Sequence, residues 1–153
     1  MKAQMHPASL ESHIGYWLRM VSNHVSQSFA RQVEGSGVTV AEWVMLREMY
    51  EAGETSPSRL AASSGLTRGT VSKLVDRLVR KKLATRAEAG EDRRYQDVEL
   101  TAAGRTLVPT LAALADRNDE KFFGCLSSGE RATLTAMLRK LAAANNLKQI
   151  PVN

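Results

Sequence analysis

The sequence contains one cysteine, Cys125, so an internal disulfide is excluded. No apolar run approaches the roughly 20 residues that a membrane-spanning helix needs. The first seven residues lack the apolar segment of a secretory signal peptide, which predicts a cytoplasmic protein without a membrane partner. Three histidines without metal-ligand spacing indicate no metal site. The composition, 43% hydrophobic and 24% charged, is typical of a soluble globular chain that buries a core.

Short motifs that carry catalysis are missing as well. The sequence has no phosphate-binding glycine loop, no nucleophile elbow and no His-Glu metal motif. It also has no convergent pair of carboxylates suited to acid–base work. We therefore expect a protein that is not an enzyme and that needs no cofactor.

The positive charge of the chain is concentrated in one segment. Residues 67–94 contain nine lysines and arginines against four aspartates and glutamates, an excess of +5 that equals the net charge of the whole chain. A solvated charged face is the alternative, but it would not collect the entire imbalance in 28 residues. The segment is therefore a candidate surface for a polyanion.

Within and just before this segment, residues 56–83 predict two short helices joined by a tight turn. Ser56 is suited to cap the first helix, and Gly65 adopts a left-handed turn without steric penalty. Thr67 then caps a second helix, whose apolar residues recur at i, i+3, i+4 and i+7. These residues are Val71, Leu74, Val75 and Leu78. The pattern predicts a helix-turn-helix, in which the second helix enters a DNA major groove.

The opposite face of the second helix carries short polar groups first and cations further along. Short hydrogen-bonding groups suit base edges, and Lys and Arg suit phosphates. An ordinary solvated helix would also be polar outside, so this alternative stays open on the helix alone. The face consists of Arg68, Gly69, Thr70, Ser72, Lys73, Asp76 and Arg77.

Helical periodicity precedes this unit. A long helix is predicted from Leu10 to about Glu34, with apolar residues on more than one side, so it needs a second burial partner. Another helix begins at Thr39, which has capping-box spacing with Glu42, and ends at Gly53.

After the second helix of the unit the periodicity alternates, which predicts two short strands at residues 84–87 and 96–100. Such a hairpin is a wing, whose exposed arginines suit a minor groove. Two further helices are predicted, from 102, capped by Thr101, to about 124, and from about 128 onward, where Ser127 and Glu130 have capping-box spacing. Residues 145–153 are expected to fray or to pack Leu147, Ile150 and Val152 on a partner. The predicted fold class is mainly α with a small antiparallel β-hairpin.

This order of elements resembles the MarR family of winged-helix transcription regulators over about residues 10–147. The resemblance implies one MarR-like chain over residues 1–153, with a winged helix-turn-helix lobe at 38–101 and dimerisation helices at 10–34 and 102–147. A homodimer of this kind binds a pseudo-palindromic double-stranded DNA operator, most often as a ligand-responsive repressor. The matching motifs are Thr70-Val71-Ser72-Lys73-Leu74-Val75-Asp76-Arg77-Leu78, Asp92-Arg93-Arg94 and Val98-Glu99-Leu100-Thr101.

The resemblance also implies roles for single residues. Arg68, Thr70, Ser72 and Lys73 would face the major groove, and Arg77 belongs to the same DNA-binding set. In the wing, Arg94 would enter the minor groove and Asp92 would hold an arginine, although Arg93 has the same chemistry as Arg94. A protein-contact module and a nonspecific DNA-architectural protein remain competing functions.

Other charges of the segment have less specific expectations. Asp76 is expected to pair within the lobe, since DNA phosphates would repel it. Arg80, Lys81, Lys82 and Arg86 are interpreted as phosphate neighbours or as solvated charge. Lys82 stands where the family pattern often has glycine, and we therefore expect a different helix C-terminus.

Members of the family are often released from DNA by a small aromatic acid or phenol bound between the dimer helices and the lobe. For the tryptophans, core packing is the alternative, most clearly for Trp43, which has the spacing of a hydrophobic staple. Cys125 is interpreted as a small buried thiol and not as an oxidant sensor. The candidate pocket residues are His13, Tyr16, Trp17, Met20, Trp43 and Arg47.

Overall fold

The computed structural model describes residues 6–87 and 97–152. Within them the chain forms a 3-10 helix, six α-helices and one two-stranded antiparallel sheet, which confirms the predicted fold class. No helix in these ranges combines the length and the apolarity that crossing a membrane requires. The elements are a 3-10 helix (Leu10–Ser12), α1 (Ile14–Glu34), α2 (Val40–Ala52), α3 (Pro57–Ser64), α4 (Arg68–Arg80), β1 (Ala84–Arg86), β2 (Val98–Leu100), α5 (Ala102–Phe123) and α6 (Ser128–Ala144).

Predicted caps set most of the helix starts. The hydroxyl oxygens of Ser56, Thr67 and Thr101 each accept a hydrogen bond from the backbone N–H three residues further on, at 3.1 to 3.3 Å. Both predicted capping boxes, at the starts of α2 and α6, have their two reciprocal bonds. Each cap satisfies a backbone donor that the helix itself leaves unpaired.

The predicted start of the first helix at Leu10 is wrong. The backbone at His13 is extended (φ −98°, ψ 124°), and it separates the 3-10 helix from α1. Ser12 donates its hydroxyl to the Ser9 carbonyl at 2.6 Å, and the His13 ring nitrogen Nδ1 lies 3.1 Å from the same oxygen. Such local side-chain bonds compete with the helical ladder and account for the break.

A lobe forms where α2, α3, α4 and the hairpin pack on a common core. The apolar residues predicted for the inner face of α4 are all buried. From α2, Met45, Leu46 and Met49 reach the same core with no exposed area. Burial of each of these side chains contributes about 1.5–3 kcal/mol, so the seating of α4 is fixed by packing.

The hairpin is slightly shorter than predicted but keeps the expected alternation. Ala84 pairs with Leu100, and Arg86 pairs with Val98. Thr55 adds a bridge on the outer side of β2, with its N–H and C=O bonded to Val98 at 3.0 and 2.7 Å. The segment before α3 is therefore tied to the base of the hairpin.

The turn after α4 has the left-handed geometry that glycine would favour. The expectation that Lys82 gives a different helix end is therefore wrong. Lys82 itself adopts φ +60°, and the Leu83 N–H donates to the Leu78 carbonyl at 2.9 Å. A left-handed lysine costs about 1–2 kcal/mol. The Thr101 hydroxyl donates to the Lys82 carbonyl at 2.8 Å and helps to hold this turn.

Outside the lobe, α1 and α5 pack side by side through a polar contact as well as an apolar one. Asn118, which is buried, donates to the Val25 carbonyl at 3.1 Å and accepts from Gln32 at 3.2 Å. These bonds link α1 to α5 far from the hairpin. The two helices thus form a frame from which the lobe projects.

Gly104 sets how closely α5 approaches the end of α4. A Cβ at this position would lie 2.2 Å from the Leu83 carbonyl oxygen, which is far inside van der Waals contact. The same oxygen accepts the Thr101 N–H at 3.0 Å, so the backbone there is already fixed. The frame and the lobe meet at this point.

We therefore expect Gly104→Ala to destabilise the protein by about 1–3 kcal/mol, because the added methyl group meets backbone and not a flexible side chain. The measurement is the free energy of unfolding from urea denaturation. Gly69→Ala, where a Cβ would meet nothing within 4 Å, is the control. It should stabilise α4 by up to about 1 kcal/mol. Equal effects of the two substitutions would contradict the close approach.

Candidate nucleic-acid interface

The outward face of α4 is open to solvent along its whole length. Arg68, Thr70, Lys73 and Arg77 are exposed, and Ser72 is half-buried. Gly69 lies among them, and a Cβ built there would meet no other described atom within 4 Å, so this position at the start of the helix is open among the described residues. The structure thus places the five described residues of the predicted DNA-binding set on one accessible surface, which we call the α4 face.

At the start of α4 the hydrogen-bonding groups are already organised. The Thr67 oxygen Oγ1 accepts from the Thr70 N–H at 3.2 Å and lies 2.9 Å from the Thr70 hydroxyl. The positive end of the helix dipole points the same way. Arg68 and the positive end of the dipole give the N-terminal end of the α4 face a favourable field for an anion.

Two charges of the basic segment, Asp76 and Arg86, pair with each other within the lobe. Arg86 donates to the Asp76 carboxylate at 2.8 Å and to the Ser72 carbonyl at 3.3 Å. Pairing of Asp76 inside the lobe is therefore confirmed, while Arg86 is not simply solvated. The contact fastens β1 to the middle of α4.

Lys81 also has a structural position. Its Nζ donates to the Glu42 carboxylate at 2.6 Å and to the Gly37 carbonyl at 2.8 Å. Glu42 is almost fully buried, and the same oxygen accepts the Thr39 N–H at 2.9 Å. Lys81 is therefore more than a solvated charge, because a buried carboxylate needs a partner, and its interpretation as a phosphate neighbour stays a prediction. Arg80 and Lys82 remain exposed.

The predicted wing residues Asp92, Arg93 and Arg94 lie outside the described residues. Arg86, the last residue of β1, contacts Asp76 in the middle of α4 and pairs with Val98, the first residue of β2.

A cavity of about 330 Å³ lies between α1, α2, α5 and the C-terminal residues. Its walls are mainly apolar, with Phe29 and Trp43 in an edge-to-face arrangement at 6.4 Å between ring centroids. Asp119 contributes the charged side chain of this lining, and Asn118 contributes an amide. We call this space the frame–lobe cavity. The other lining residues are Val25, Ser26, Val40, Val44, Ala115, Ile150 and Pro151.

Of the six residues expected to form a ligand pocket, Trp43 lines the frame–lobe cavity. It also packs against the lobe core, as the alternative interpretation expected. Arg47 instead pairs with Glu51 on the outside of α2 and stacks on Tyr50. The structure does not bring the six together, since the remaining four lie at the N-cap and in the first two turns of α1: His13, Tyr16, Trp17 and Met20.

A second, larger depression of about 720 Å³ separates α1 from the end of α5 and from α6. Its apolar residues are strongly exposed on this single chain: Ile14 by 83% and Trp17 by 48%. Helix α6 has no buried residue, and its Leu138 is 42% exposed. We call this surface the α1–α6 groove. Exposed apolar side chains grouped in this way mark a candidate interaction surface.

Cys125 lies in the α1–α6 groove and is exposed, which contradicts its interpretation as a buried thiol. The reason is that α6 leaves this end of the frame uncovered. Lys121 points elsewhere, with Nζ 3.3 Å from the Ser28 hydroxyl and over the Phe122 ring.

Sequence reasoning missed Asn118, Asp119, Ile150 and Pro151 as cavity residues. Helical periodicity places residues on a face but does not show which distant segment lies opposite. In the part of the chain that the structure describes, no cluster of three potential metal ligands occurs.

Comparison with known proteins adds independent information. Residues 36–94 match the model of the MarR family. The chain is similar to the HTH-type transcriptional repressor NicR of Pseudomonas putida, with 27% identity over 135 residues, 88% of this chain and 85% of NicR. It is also similar to BpsR of Bordetella bronchiseptica, whose DNA binding is regulated by 6-hydroxynicotinic acid. That structure has 27% identity and a TM-score of 0.76, and the match covers 88% of this chain and 98% of BpsR. MepR of S. aureus, solved in complex with DNA, has 27% identity and a TM-score of 0.75, over 86% of this chain and 98% of MepR.

Proposed function

We propose that the chain is a transcriptional regulator of the MarR family, and that it is a sequence-specific, ligand-responsive repressor that acts as a homodimer in the cytoplasm. The observation that carries the proposal is the uncovered α4 face, polar at its capped start and cationic further along. MepR, which was solved in complex with DNA, and the repressor NicR support it. On this proposal the chain has no catalytic role.

In the proposed complex α4 enters the major groove from its N-terminal end. Arg68, Thr70, Ser72 and Lys73 then approach base edges, and Arg77 approaches the phosphates. Short side chains at the start of the helix allow the close approach that base contacts need. We keep Arg94 as the minor-groove residue of the wing, with Arg93 as the alternative and Asp92 as its ion-pair partner.

The first experiment is selection of bound sequences from random duplexes, which yields the operator for every later measurement. A specific regulator returns a pseudo-palindrome with half-sites about one helical turn apart. A nonspecific architectural protein binds scrambled and selected duplexes equally, and a protein-contact module binds neither.

On the selected operator, Lys73→Ala should weaken binding by about 1–3 kcal/mol and relax discrimination at one base position, because a bidentate base contact is lost. Fluorescence anisotropy on the operator and on its single-base variants measures both effects. Lys140→Ala removes one exposed lysine from α6, away from the α4 face, and is the matched control. A uniform loss on all sequences would make Lys73 a phosphate contact instead.

Dimerisation is proposed through the α1–α6 groove, the apolar surface described above. Two copies of one chain present the same groove, as a two-fold interface requires. Side chains such as Trp17 and Leu138 supply the aromatic and aliphatic contacts of an obligate interface. The groove includes Cys125, so the dimer would bury the thiol that the single chain exposes.

We expect Leu138→Glu to convert the dimer into monomers, because each interface would bury two unpaired carboxylates. The dissociation constant should rise more than about 100-fold, roughly 2.8 kcal/mol. Sedimentation equilibrium provides the measurement. Lys140→Glu changes the charge of the same helix at a position outside the groove and should leave the dimer intact. An unchanged dimer in Leu138→Glu would place the interface elsewhere.

The effector is proposed to be a small aromatic acid or phenol, bound in the frame–lobe cavity. Its edge-to-face ring pair suits an aromatic guest. Between the two classes the lining favours the phenol, because the charged side chain there is that of Asp119, which repels a carboxylate. BpsR is regulated by 6-hydroxynicotinic acid, which is both hydroxylated and a carboxylic acid, so this relative supports an aromatic effector and does not distinguish the two classes.

A matched pair of probes tests this choice: 4-chlorophenol, neutral at pH 7, and 4-chlorobenzoate. With both tryptophans replaced by 5-fluorotryptophan, the Trp43 fluorine resonance should respond to the phenol at concentrations that also release the operator. Asp119→Asn should lower the ratio of the affinity for the phenol to that for the benzoate by up to about fivefold, ~1 kcal/mol. The effect is no larger because Asp119 is exposed and its charge is screened. Equal responses to both probes would contradict the charge argument, and no response would place the effector elsewhere.

A further inference from the structure

The residues that follow α6 turn back onto the lobe of their own chain. The Ile150 N–H donates to the Ser64 carbonyl at 3.0 Å. Val152 is half-buried and packs against the lobe core, although Leu147 remains 67% exposed. The sequence indicated either fraying or contact with a partner, and the structure shows a third arrangement for Ile150 and Val152.

One side of this segment closes the frame–lobe cavity. Ile150 and Pro151 line it together with Phe29 and Trp43. Helices α1, α2 and α5 provide the other walls, so the C-terminal residues form the one wall that does not belong to a helix. A non-helical wall with few contacts opens at lower cost than a packed helix.

The other side of the segment lies against the turn of the helix-turn-helix. Gly65 has φ +70°, and a Cβ there would lie 3.2 Å from the Gln149 Cα and 3.3 Å from the Lys148 carbonyl oxygen. Glycine is therefore favoured by the turn, and the C-terminal backbone passes so closely that a Cβ at this position would make it shift by a few tenths of an ångström. Two residues later Thr67 caps α4, so the contact lies next to the end of the helix assigned to the major groove.

We propose that residues 148–152 form a strap that closes the frame–lobe cavity and couples it to the start of α4. A guest that displaces Ile150 and Pro151 also removes the contacts on Ser64 and Gly65, and the α3–α4 turn is then free to shift. The strap deepens the proposed function, because it rests on α4 as the DNA-reading helix. By linkage the coupling is reciprocal: operator binding must change the environment inside the cavity.

Reciprocity allows a test without any effector. The chain has two tryptophans, so a 5-fluorotryptophan-labelled protein gives two fluorine resonances, which Trp17→Phe assigns. In the full chain, the Trp43 resonance should have a small H2O/D2O isotope shift and should move when the selected operator binds. In a chain ending at Leu147, the isotope shift should grow by at least about twofold as water reaches the ring, and the operator-induced movement should disappear.

Two single substitutions keep the test valid if the shortened chain does not fold. Ile150→Ala removes a cavity wall but keeps the backbone N–H, so it should enlarge the isotope shift and reduce the operator-induced movement. Lys148 approaches Gly65 through its backbone, and its side chain is exposed. Lys148→Ala should therefore behave as the unaltered protein.

An isotope shift at Trp43 that is the same in the full chain, the shortened chain and Ile150→Ala would show that the strap does not close the cavity. An operator-induced movement that survives shortening would show that the strap does not couple the two sites. Fluorescence anisotropy measures operator binding by the full chain and separates these outcomes from failure of the proposed function. If only the strap proposal fails, the full chain still binds the operator. If the proposed function fails, the full chain does not bind it.

Discussion

The position of α4 depends on one buried carboxylate. Glu42 belongs to the first turn of α2, where it closes the capping box, and its Oε2 also accepts the Lys81 ammonium from the far end of α4. A buried carboxylate without these donors would cost more than most single contacts contribute, so the start of α2 and the end of α4 are held together. Lys81 further donates to the Gly37 carbonyl, which fixes the loop before α2. The helix that presents the candidate DNA-binding face is thus held at its C-terminal end.

This constraint changes the meaning of the charge excess in residues 67–94. Two of its cations, Lys81 and Arg86, hold α4 to α2 and to β1. The cations that remain exposed on the α4 face are Arg68, Lys73 and Arg77. A count of charges locates a basic segment but does not separate cations that face a ligand from cations that stabilise the lobe. That separation requires the partner of each charge, and the partner of Lys81 lies 39 residues away in the sequence.

Predictions from the sequence succeeded where the physical cause is local. Caps at Thr39, Ser56 and Thr67 depend on residues at most three positions apart, and the inner face of α4 follows from its periodicity. They failed where distant segments meet. Ion pairs of Arg86, exposure of Cys125 and the return of the chain end to Ser64 all depend on tertiary packing. The roles of the predicted site residues stay predictions, although five of them share one accessible face.

The location of the frame–lobe cavity explains how a weak contact can have a large effect on DNA binding. Its walls belong to both parts of the molecule: Val25 and Ala115 to the frame, Trp43 and Val44 to the lobe. In the proposed dimer the two frames are fixed to one another. A small tilt of both lobes therefore changes the distance between the two α4 helices by twice the displacement of one lobe. An operator with fixed half-site spacing penalises that change, and a tenfold loss of affinity needs only about 1.4 kcal/mol.

A strap held by one backbone bond and two half-buried side chains lies within the range that a small ligand can displace, whereas the Glu42 anchor does not. The proposed strap thus lies at the junction between frame and lobe, whose geometry the DNA would read.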